Sequence, residues 1–430
     1  MKTVLMIAPY FIPRRRVGAL RPFKFVIHLK KFGYEPVVLT IGAPGSNKTT
    51  IEKELLDGIT VIETSTPFDQ TGTSEKKSET TGFSKNFSKA VLNWIDKQTP
   101  LDTWIYLFKA KYRSIYTEIK KIDPDIVWAT GDPWSGLWLG EKISNDLNKP
   151  FIADFRDPWT LSQVNLRARS SFSSHWDQKI EKKILARADR ITFTSEQARI
   201  KYTKTYPNIA NKSVTIFNSF DRNLLNPNPV NKWDENLDRN KLNVIFFGRF
   251  RRLSPVKHIA KALNNLKIDT PDILKDIRIH SFGFPDSECH DNIQKLDLGK
   301  FFVSHDSVMP EYMTSVLKSA DILLLSTNVE RDDIIPAKLW DYLSVDVPIL
   351  SIVSNPEIGE IIDKTKSGIQ LHPEETGRIA ELLTDFVLAK KKNGSVAFSE
   401  KSDHANREIY SSEYTTRQLA SILDELTIHV

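Results

Sequence analysis

Short apolar runs recur along the chain, each followed by a polar turn and then by a longer stretch with apolar residues three or four apart. Val4–Ala8, Pro36–Ile41, Asp125–Ala129, Phe151–Asp154, Arg190–Thr194 and Val214–Asn218 are such runs in the first half. Leu242–Gly248, Arg278–Phe284, Lys300–Ser304, Ile322–Leu325 and Val347–Ile352 continue the series, and Ser367-Gly368-Ile369 leads into a last one. Runs this short and this apolar predict strands buried on both faces. The intervening segments predict helices. Phe23, Val26, Ile27 and Leu29 share one face after the first strand; Met309–Ser319, Pro356–Lys364 and Thr376–Lys391 follow later strands, and residues 404–428 carry Tyr410, Tyr414, Leu419, Ile422 and Leu423. Strand–helix alternation in both halves predicts two α/β domains built on parallel sheets. The Pro/Asn/Asp-rich stretch after the strand at 214–218 reads as the boundary. The expected organisation is therefore 1–225, a linker 226–240, a second domain 241–403, and a terminal helix within 404–430.

Length agrees with this division, because 430 residues exceed one ordinary core. The single cysteine, Cys289, excludes a disulfide framework and a cysteine metal cage within one chain, and fits a reducing compartment. The nine histidines lack metal-site spacing. The opening MKTVLMIAPYFIP reads as a first strand, and no stretch predicts a membrane span. Charge is divided unevenly: residues 1–225 hold 35 basic and 23 acidic side chains, the remainder 25 and 31. A basic first half attracts anionic membrane, phosphate-bearing substrate or polyanion, or is simply a solvated surface. The polar segment Thr64–Lys89 reads as a mobile loop. It leads into residues 88–120, where Trp94, Trp104, Ile105, Tyr106, Leu107, Phe108 and Tyr112 alternate with lysines. That stretch suits packed helices with wet outer faces, or a segment lying on a membrane surface.

Candidate chemistry gathers at strand ends, where open parallel sheets bind ligands. The stretch DILLLSTNVERDDIIPAKLWDYLSVDVPILS, Asp321 to Ser351, reads as strand, acidic loop, helix and strand. Glu330, Asp332 and Asp333 lie in the loop, and Pro336 opens the helix that turns Leu339 and Trp340 inward. Its N-terminus favours an anion, and Asp341 near the same mouth suits ribose or sugar hydroxyls. Gly248-Arg249 ends a strand opposite this acid, and a basic loop follows with Arg252 and Lys257, a combination that suits a diphosphate. Gly283 ends the next strand. In the first half, Arg16, Gly18 and Arg21 follow strand one in a phosphate-compatible turn without G-x-G-x-x-G, so a nicotinamide site is disfavoured. Asp132 ends one strand, and Asp154, Arg156, Asp157 and Trp159 end another as ADFRDPW. This acid pair around an arginine orients acceptor hydroxyls or braces its own turn, with Asp157 the candidate base.

Several segments carry a family likeness, among them the strand, turn and helix that open the chain and VTIFNSFD near the end of the first domain. PAKLWDYLSVDVPIL resembles the donor-site segment of family 4 glycosyltransferases, P-S-K-L-x-E-Y-L-x-x-G-x-P-[IV]-[IL]. NVIFFGRFRRLSPVK resembles their G-R-x-x-x-x-K, and DFRDPW is similar to a signature of one subset. The resemblance implies two Rossmann-like domains facing across a cleft, the GT-B arrangement, with the C-terminal helix crossing back to the first domain. It implies transfer of a sugar from a nucleotide-diphosphate sugar to a glycan or lipid-linked acceptor, with retention and without metal or cofactor, in bacterial surface polysaccharide synthesis. Asp341 would hold the ribose, and Asp333, or Glu330, the transferred sugar; Arg249 with Lys257, or Arg252, would hold the diphosphate. Gly18, Gly248, Gly283, Pro336, Ala337, Lys338 and Leu339 complete the donor side. Arg16, Arg21, Asp132, Asp154, Arg156, Asp157 and Trp159 would form the acceptor side. The chain shows D-x7-D where the family has E-x7-E, Asp346 where it commonly has glycine, and no histidine near the Asp125–Ala129 strand end. The implied location is cytoplasmic, at the inner face of an anionic membrane, with no nucleic-acid partner. The alternatives are a nucleotide-sugar epimerase and a binding protein with a decayed donor site.

Overall fold

The computed structural model describes residues 1–427 except Arg15, Pro44 and residues 66–93, 163–168, 225–236, 310–311 and 397–402. The chain divides into two compact units, Met1–Ser219 with Ser412–Val430, and Phe220–Ser411. The first unit holds a seven-stranded sheet, β1 (Lys2–Ile7), β2 (Tyr34–Ile41), β3 (Thr60–Thr64), β4 (Ile126–Gly131), β5 (Phe151–Phe155), β6 (Arg190–Phe193) and β7 (Ser213–Thr215), in the order β3-β2-β1-β4-β5-β6-β7. The second holds β8 (Leu242–Phe246), β9 (Ile277–Phe282), β10 (Phe302–His305), β11 (Ile322–Ser326), β12 (Ile349–Ile352) and β13 (Gly368–Leu371), in the order β10-β9-β8-β11-β12-β13. All strand pairings in both sheets are parallel. Strand order reverses beside β1 and beside β8. Such switch points leave a crevice at the carboxyl ends of the flanking strands, so the sheets direct the turns after β1, β4, β8 and β11 to the two places where ligands fit.

The apolar runs became central strands because both sheet faces are covered. Val4, Leu5, Val127, Trp128, Ile152 and Ala153 are fully buried in one core, and Val244, Phe246, Leu323, Leu324 and Leu350 in the other. The C-terminal helix Ser412–Thr427 belongs to the first unit. It is fixed there by Lys31–Glu413 (2.6 Å), by Tyr34 Oη donating to Asp424 Oδ1 (2.6 Å) and by Lys2 Nζ donating to the Thr427 carbonyl (3.2 Å). The two-sheet α/β fold and this returning helix agree with the expectation from sequence.

Local differences have local causes. The stretch 404–428 is two helices, His404–Glu408 and Ser412–Thr427, with the break at the point where the chain passes from one unit to the other. Sequence periodicity missed β3, whose burial alternates because it is the sheet's edge. It also missed the short Thr50–Leu55 helix, which is opened by a capping box between Thr49 and Glu52. Most of the expected 226–240 linker and of the 64–89 loop lies outside the described residues. Within residues 94–122, Ile105, Leu107 and Phe108 are core, so packing explains that part of the segment. Trp94 and Tyr106 stay about 60% exposed (62% and 60%).

One buried polar chain ties the second sheet to pH. Asn243 Nδ2 donates to the Asp238 and Lys241 carbonyls (3.1 and 2.9 Å), which leaves its Oδ1 facing His280 Nε2 at 3.1 Å. His280 Nε2 must therefore carry the proton, and His280 Nδ1 accepts from His305 Nε2 at 3.0 Å. His280 is thus neutral, and burial, then the neighbouring His305, lowers its pKa to about 4. Burial also lowers that of His305. A base with a depressed folded-state pKa takes up its proton in the unfolded chain first. The stability it confers is full above pH 6.5 and is lost as pH falls toward 4. The expected loss from His280 is about 3 kcal/mol at most. Urea midpoints measured from pH 7 to 4.5 should fall steeply in the native chain and less steeply in His280→Asn. Equal slopes would remove the histidine from the account.

Candidate functional site

In the second unit, the turns after β8, β9 and β11 meet. Gly248 follows β8 with φ +134°, and a Cβ there would lie 2.9 Å from Lys338 Cε. Gly283 follows β9 with φ +114°, and its missing Cβ would meet Arg249 Cβ at 3.2 Å. The Phe282 N–H donates to the Gly248 carbonyl (3.0 Å), which keeps these two glycine turns side by side. From the other side, Tyr342 Oη accepts from the Phe247 N–H and donates to the Leu324 carbonyl, both at 3.0 Å. One buried phenol thereby locks β8, β11 and the Ala337–Leu343 helix together. Tyr342 was not among the sequence candidates, since a tyrosine inside a helical pattern reads as ordinary core.

The cations at this edge differ in setting. Arg249 and Lys257 are exposed, Lys257 at the start of the Lys257–Asp269 helix. Arg252 donates to Glu330 Oε2 at 3.3 Å, and its N–H donates to Asp286 Oδ2 at 3.0 Å. Lys338 places its ammonium over the Phe246 ring, 4.8 Å from the centroid. Part of its side chain reaches the surface, but loss of water, then Arg251, lowers its pKa to about 8, with Asp341 opposing. The acids lie close by: Asp341 is half-buried, Asp333 is 6% exposed, and Glu330 is partly exposed beside Arg252. The Ala337–Leu343 helix, capped by Pro336, has seven residues and no side-chain cap. So short a helix contributes little dipole, and the positive potential expected of its N-terminus comes instead from Lys338 and the arginines. The structure thus gathers Gly248, Arg249, Arg252, Lys257, Gly283, Glu330, Asp333, Pro336, Ala337, Lys338, Leu339 and Asp341 at the carboxyl ends of β8, β9 and β11, with Leu339 buried beneath.

Alanine at Gly248 is expected to fail for two reasons, its left-handed backbone and the Lys338 side chain, and to cost about 1–3 kcal/mol. Gly377, exposed in a helix with no atom within 4 Å of its missing Cβ, is the control, where alanine should be neutral or stabilising. Thermal melts of the two variants read the difference.

In the first unit, the turns after β1, β4 and β5 form a second cluster. Gly18 opens the Val17–Leu29 helix, and a Cβ there would lie 2.0 Å from Arg156 Nη1. Arg156 Nε donates to the Gly131 carbonyl at 3.0 Å, which sets its guanidinium beside the Asp132 turn. Asp132 is exposed, but crowding withdraws enough water to raise its carboxyl pKa; Arg156 opposes this and Asp157 adds to it. Beneath lies Asp102, which accepts from Ser135 N (2.8 Å), Ser135 Oγ (2.7 Å) and Trp104 N (3.0 Å). Burial lifts its pKa to about 6. Tyr10 has Arg14 and Arg16 each 5.5 Å from its ring, and its phenol is raised by burial, then by Asp132. Tyr10, Arg14, Asp102 and Trp104 were not among the site candidates, because their meeting with Asp132 spans about 120 residues of chain.

Three residues expected on the acceptor side are buried. Asp154 is 0% and Arg21 6% exposed. Arg21 Nη2 donates to Asp154 Oδ1 at 2.8 Å, and the strand neighbours Thr130 and Thr192 donate their hydroxyls to the same carboxylate at 2.7 and 2.6 Å. In a parallel sheet these two threonines stand in register on either side of Asp154, so all its lone pairs are spent internally. Trp159 is 3% exposed and stacks on Trp134 at 5.0 Å. The D-x-R-D-P-W segment thus braces with Asp154 and Trp159, and presents Arg156 and Asp157, both half-buried.

The architecture is a two-domain α/β fold of the GT-B type. The model of Glycosyltransferase Family 4 matches residues 24–224, just under half of the chain. Among solved structures, sucrose-phosphate synthase from Thermosynechococcus elongatus is similar, at 13% identity and TM-score 0.67, with 100% of both chains covered. HepE of Anabaena, crystallised with UDP-glucose, is 13% identical with TM-score 0.65, covering 99% of this chain and 100% of that one. A glycosyltransferase from Rickettsia africae is 16% identical with TM-score 0.60, covering 99% and 98%. No curated protein sequence matches the chain.

Proposed function

We propose that the protein is a glycosyltransferase that moves a sugar from a nucleotide-diphosphate sugar to a hydroxyl of a glycan or lipid-linked acceptor, with retention and without metal. The observation that carries this is the carboxyl end of the second sheet, where Arg249 and Lys338 lie against two glycine turns and Asp341 stands beside them. Glycines there let a diphosphate approach the backbone, and the cations suit its charge. The family match, the GT-B fold and the UDP-glucose complex of the Anabaena neighbour support a nucleotide sugar as the donor.

In this reading Asp341 accepts the ribose hydroxyls. Asp333 receives the transferred sugar, because the charge of Glu330 is already matched by Arg252. The bond from the anomeric carbon to the diphosphate oxygen breaks, and the acceptor oxygen bonds to that carbon on the same face. The acceptor proton passes to the departing diphosphate oxygen, whose charge Arg249, Lys257 and Lys338 stabilise. Asp132, Arg156 and Asp157 hold acceptor hydroxyls. A lipid-linked acceptor places the enzyme at the cytoplasmic face of an anionic membrane, in polysaccharide assembly.

The test is a thermal-shift panel with UDP, GDP, ADP and dTDP, each with and without EDTA, followed by mass spectrometry of acceptor and donor. One nucleotide at about 100 times its dissociation constant should stabilise by about 2.7 kcal/mol. A stabilising effect that EDTA abolishes would overturn metal independence. Isomerised donor without acceptor product would identify an epimerase, and no shift with any nucleotide a binding protein.

A further inference from the structure

We propose that the outer face of the Ser171–Arg187 helix, together with the helical residues Trp94 and Ile95, is a docking surface for a bilayer containing anionic lipid. This deepens the membrane part of the reading above by naming the surface. Of the stretch that the sequence alone put forward it keeps only Trp94 and Ile95, since most aromatics of residues 104–112 are committed to the core or packed against it.

Four large apolar side chains stand exposed here: Trp94 (62%), Ile95 (37%), Phe172 (61%) and Trp176 (42%). They come from two parts of the chain that the fold pins together. Ser170 N–H donates to the Lys97 carbonyl (3.2 Å), Arg169 Nη1 donates to the Asp96 carbonyl (2.9 Å), and the Leu101 N–H donates to Asp177 Oδ1 (2.6 Å). Phe172 and Trp176 are one helical turn apart with rings 6.5 Å from each other. Lys179 extends over the Trp176 ring at 5.0 Å.

Charge on this helix is sorted by face. Its acids, Asp177 and Glu181, are buried, at 2% and 0%. Asp177 is consumed by Leu101 N and Arg169, and Glu181 by Tyr202 and the Thr160 backbone. The side chains left exposed include Phe172, His175, Trp176, Gln178, Lys179, Lys182 and Lys183, with no carboxylate of the helix among them; Lys183 pairs with the buried Glu141 at 3.1 Å. An ordinary solvated helix mixes both signs outside and keeps its tryptophans in. Here the inversion leaves aromatic rings with lysines around them, which matches a headgroup region: rings at the interface, ammonium groups on lipid phosphates. A protein partner would be served equally by the rings. The positive charge of the helix face, with Asp96 the exposed acid of the adjoining segment, favours an anionic surface.

The experiment is co-sedimentation of the full chain with phosphatidylcholine vesicles, with and without phosphatidylglycerol, at low and high salt. The native chain should bind the anionic vesicles and be released by salt. Phe172→Ser with Trp176→Ser should lower the partition roughly tenfold. Lys179→Glu with Lys182→Glu should lower it by more than a factor of about ten, since each cation lost near the surface is worth about a factor of five. All four positions are exposed, and circular dichroism melts check that the variants fold. Absence of binding to anionic vesicles, or binding unchanged by both double variants, overturns the proposal. So does a light-scattering mass showing a native dimer that the aromatic variant dissolves, because the face would then join two copies. The nucleotide panel on the same variants separates the two readings: lost vesicle binding with an intact nucleotide shift leaves the transferase standing, and vesicle binding without any nucleotide shift leaves only the docking surface.

Discussion

Arg249→Ala is expected to lower the rate of sugar transfer by about 10²–10³-fold with little change in melting temperature. Arg249 is exposed at the exit of β8, packed by its Cβ against the Gly283 turn. Its charge touches the folded state only lightly, as one of the weaker influences that keep the Asp286 carboxyl below its usual range. A leaving diphosphate gains negative charge as its bond to the sugar breaks, so a fixed guanidinium stabilises the transition state more than the ground state. Loss should therefore fall on turnover as well as on nucleotide affinity. Arg249→Lys, which keeps charge without the two-pronged donor, should sit between the two. Arg252→Ala removes a surface ion pair with Glu330 and should cost well under 1 kcal/mol of stability and less activity. Steady-state kinetics on the three variants decide this, and turnover unaltered in Arg249→Ala would remove the arginine from the reaction.

Arg21→Ala is expected to destabilise the first unit by about 3–5 kcal/mol, the cost of leaving a buried carboxylate without its cation. Asp154 has no water to turn to, and the Thr130 and Thr192 hydroxyls cannot neutralise its charge. Arg21 also donates to the Phe217 carbonyl at 2.9 Å and lies over the Phe25 ring at 4.8 Å, so the lesion reaches the end of the unit's chain. Asp154→Ala should cost a similar amount, by stranding the guanidinium and two hydroxyls together. The double variant should cost less than the sum, since each change removes the other's orphan. Chemical denaturation of the four chains measures the coupling. Additive losses would mean the pair contributes no joint stability. Nucleotide affinity measured well below the melting range should be normal in all four, which distinguishes a brace from a ligand contact.

These cases mark how far the sequence could be read. The strand at 322–325 and the helix after Pro336 were legible because burial repeats at fixed spacing, a property of neighbouring residues. The edge strand at 60–64 was not, because its pairing is decided by β2 and its own residues alternate weakly. The glycine at 248 and the arginine after it were visible as a strand end. That Lys338 sits over Phe246, and titrates near 8 for want of water, depends on an approach of residues about 90 positions apart. The acceptor side shows the same limit more sharply. One segment, DFRDPW, contains an acid that braces, an arginine that frames Gly18 and an acid at the surface, and nothing in the local order of letters separates them.

What the sequence by itself determined is the alternation of strands and helices, the two sheets, the uneven charge and the strand ends where chemistry gathers. These follow from hydrophobic period and turn composition, which act over a few residues. The tertiary structure decided which charges are spent on each other and which face outward: Arg21 on Asp154, Arg252 on Glu330, Asp177 and Glu181 turned in, Lys179 and Lys182 turned out. A charge acquires its role from its partners and its water. Both are fixed only when segments distant in sequence pack together.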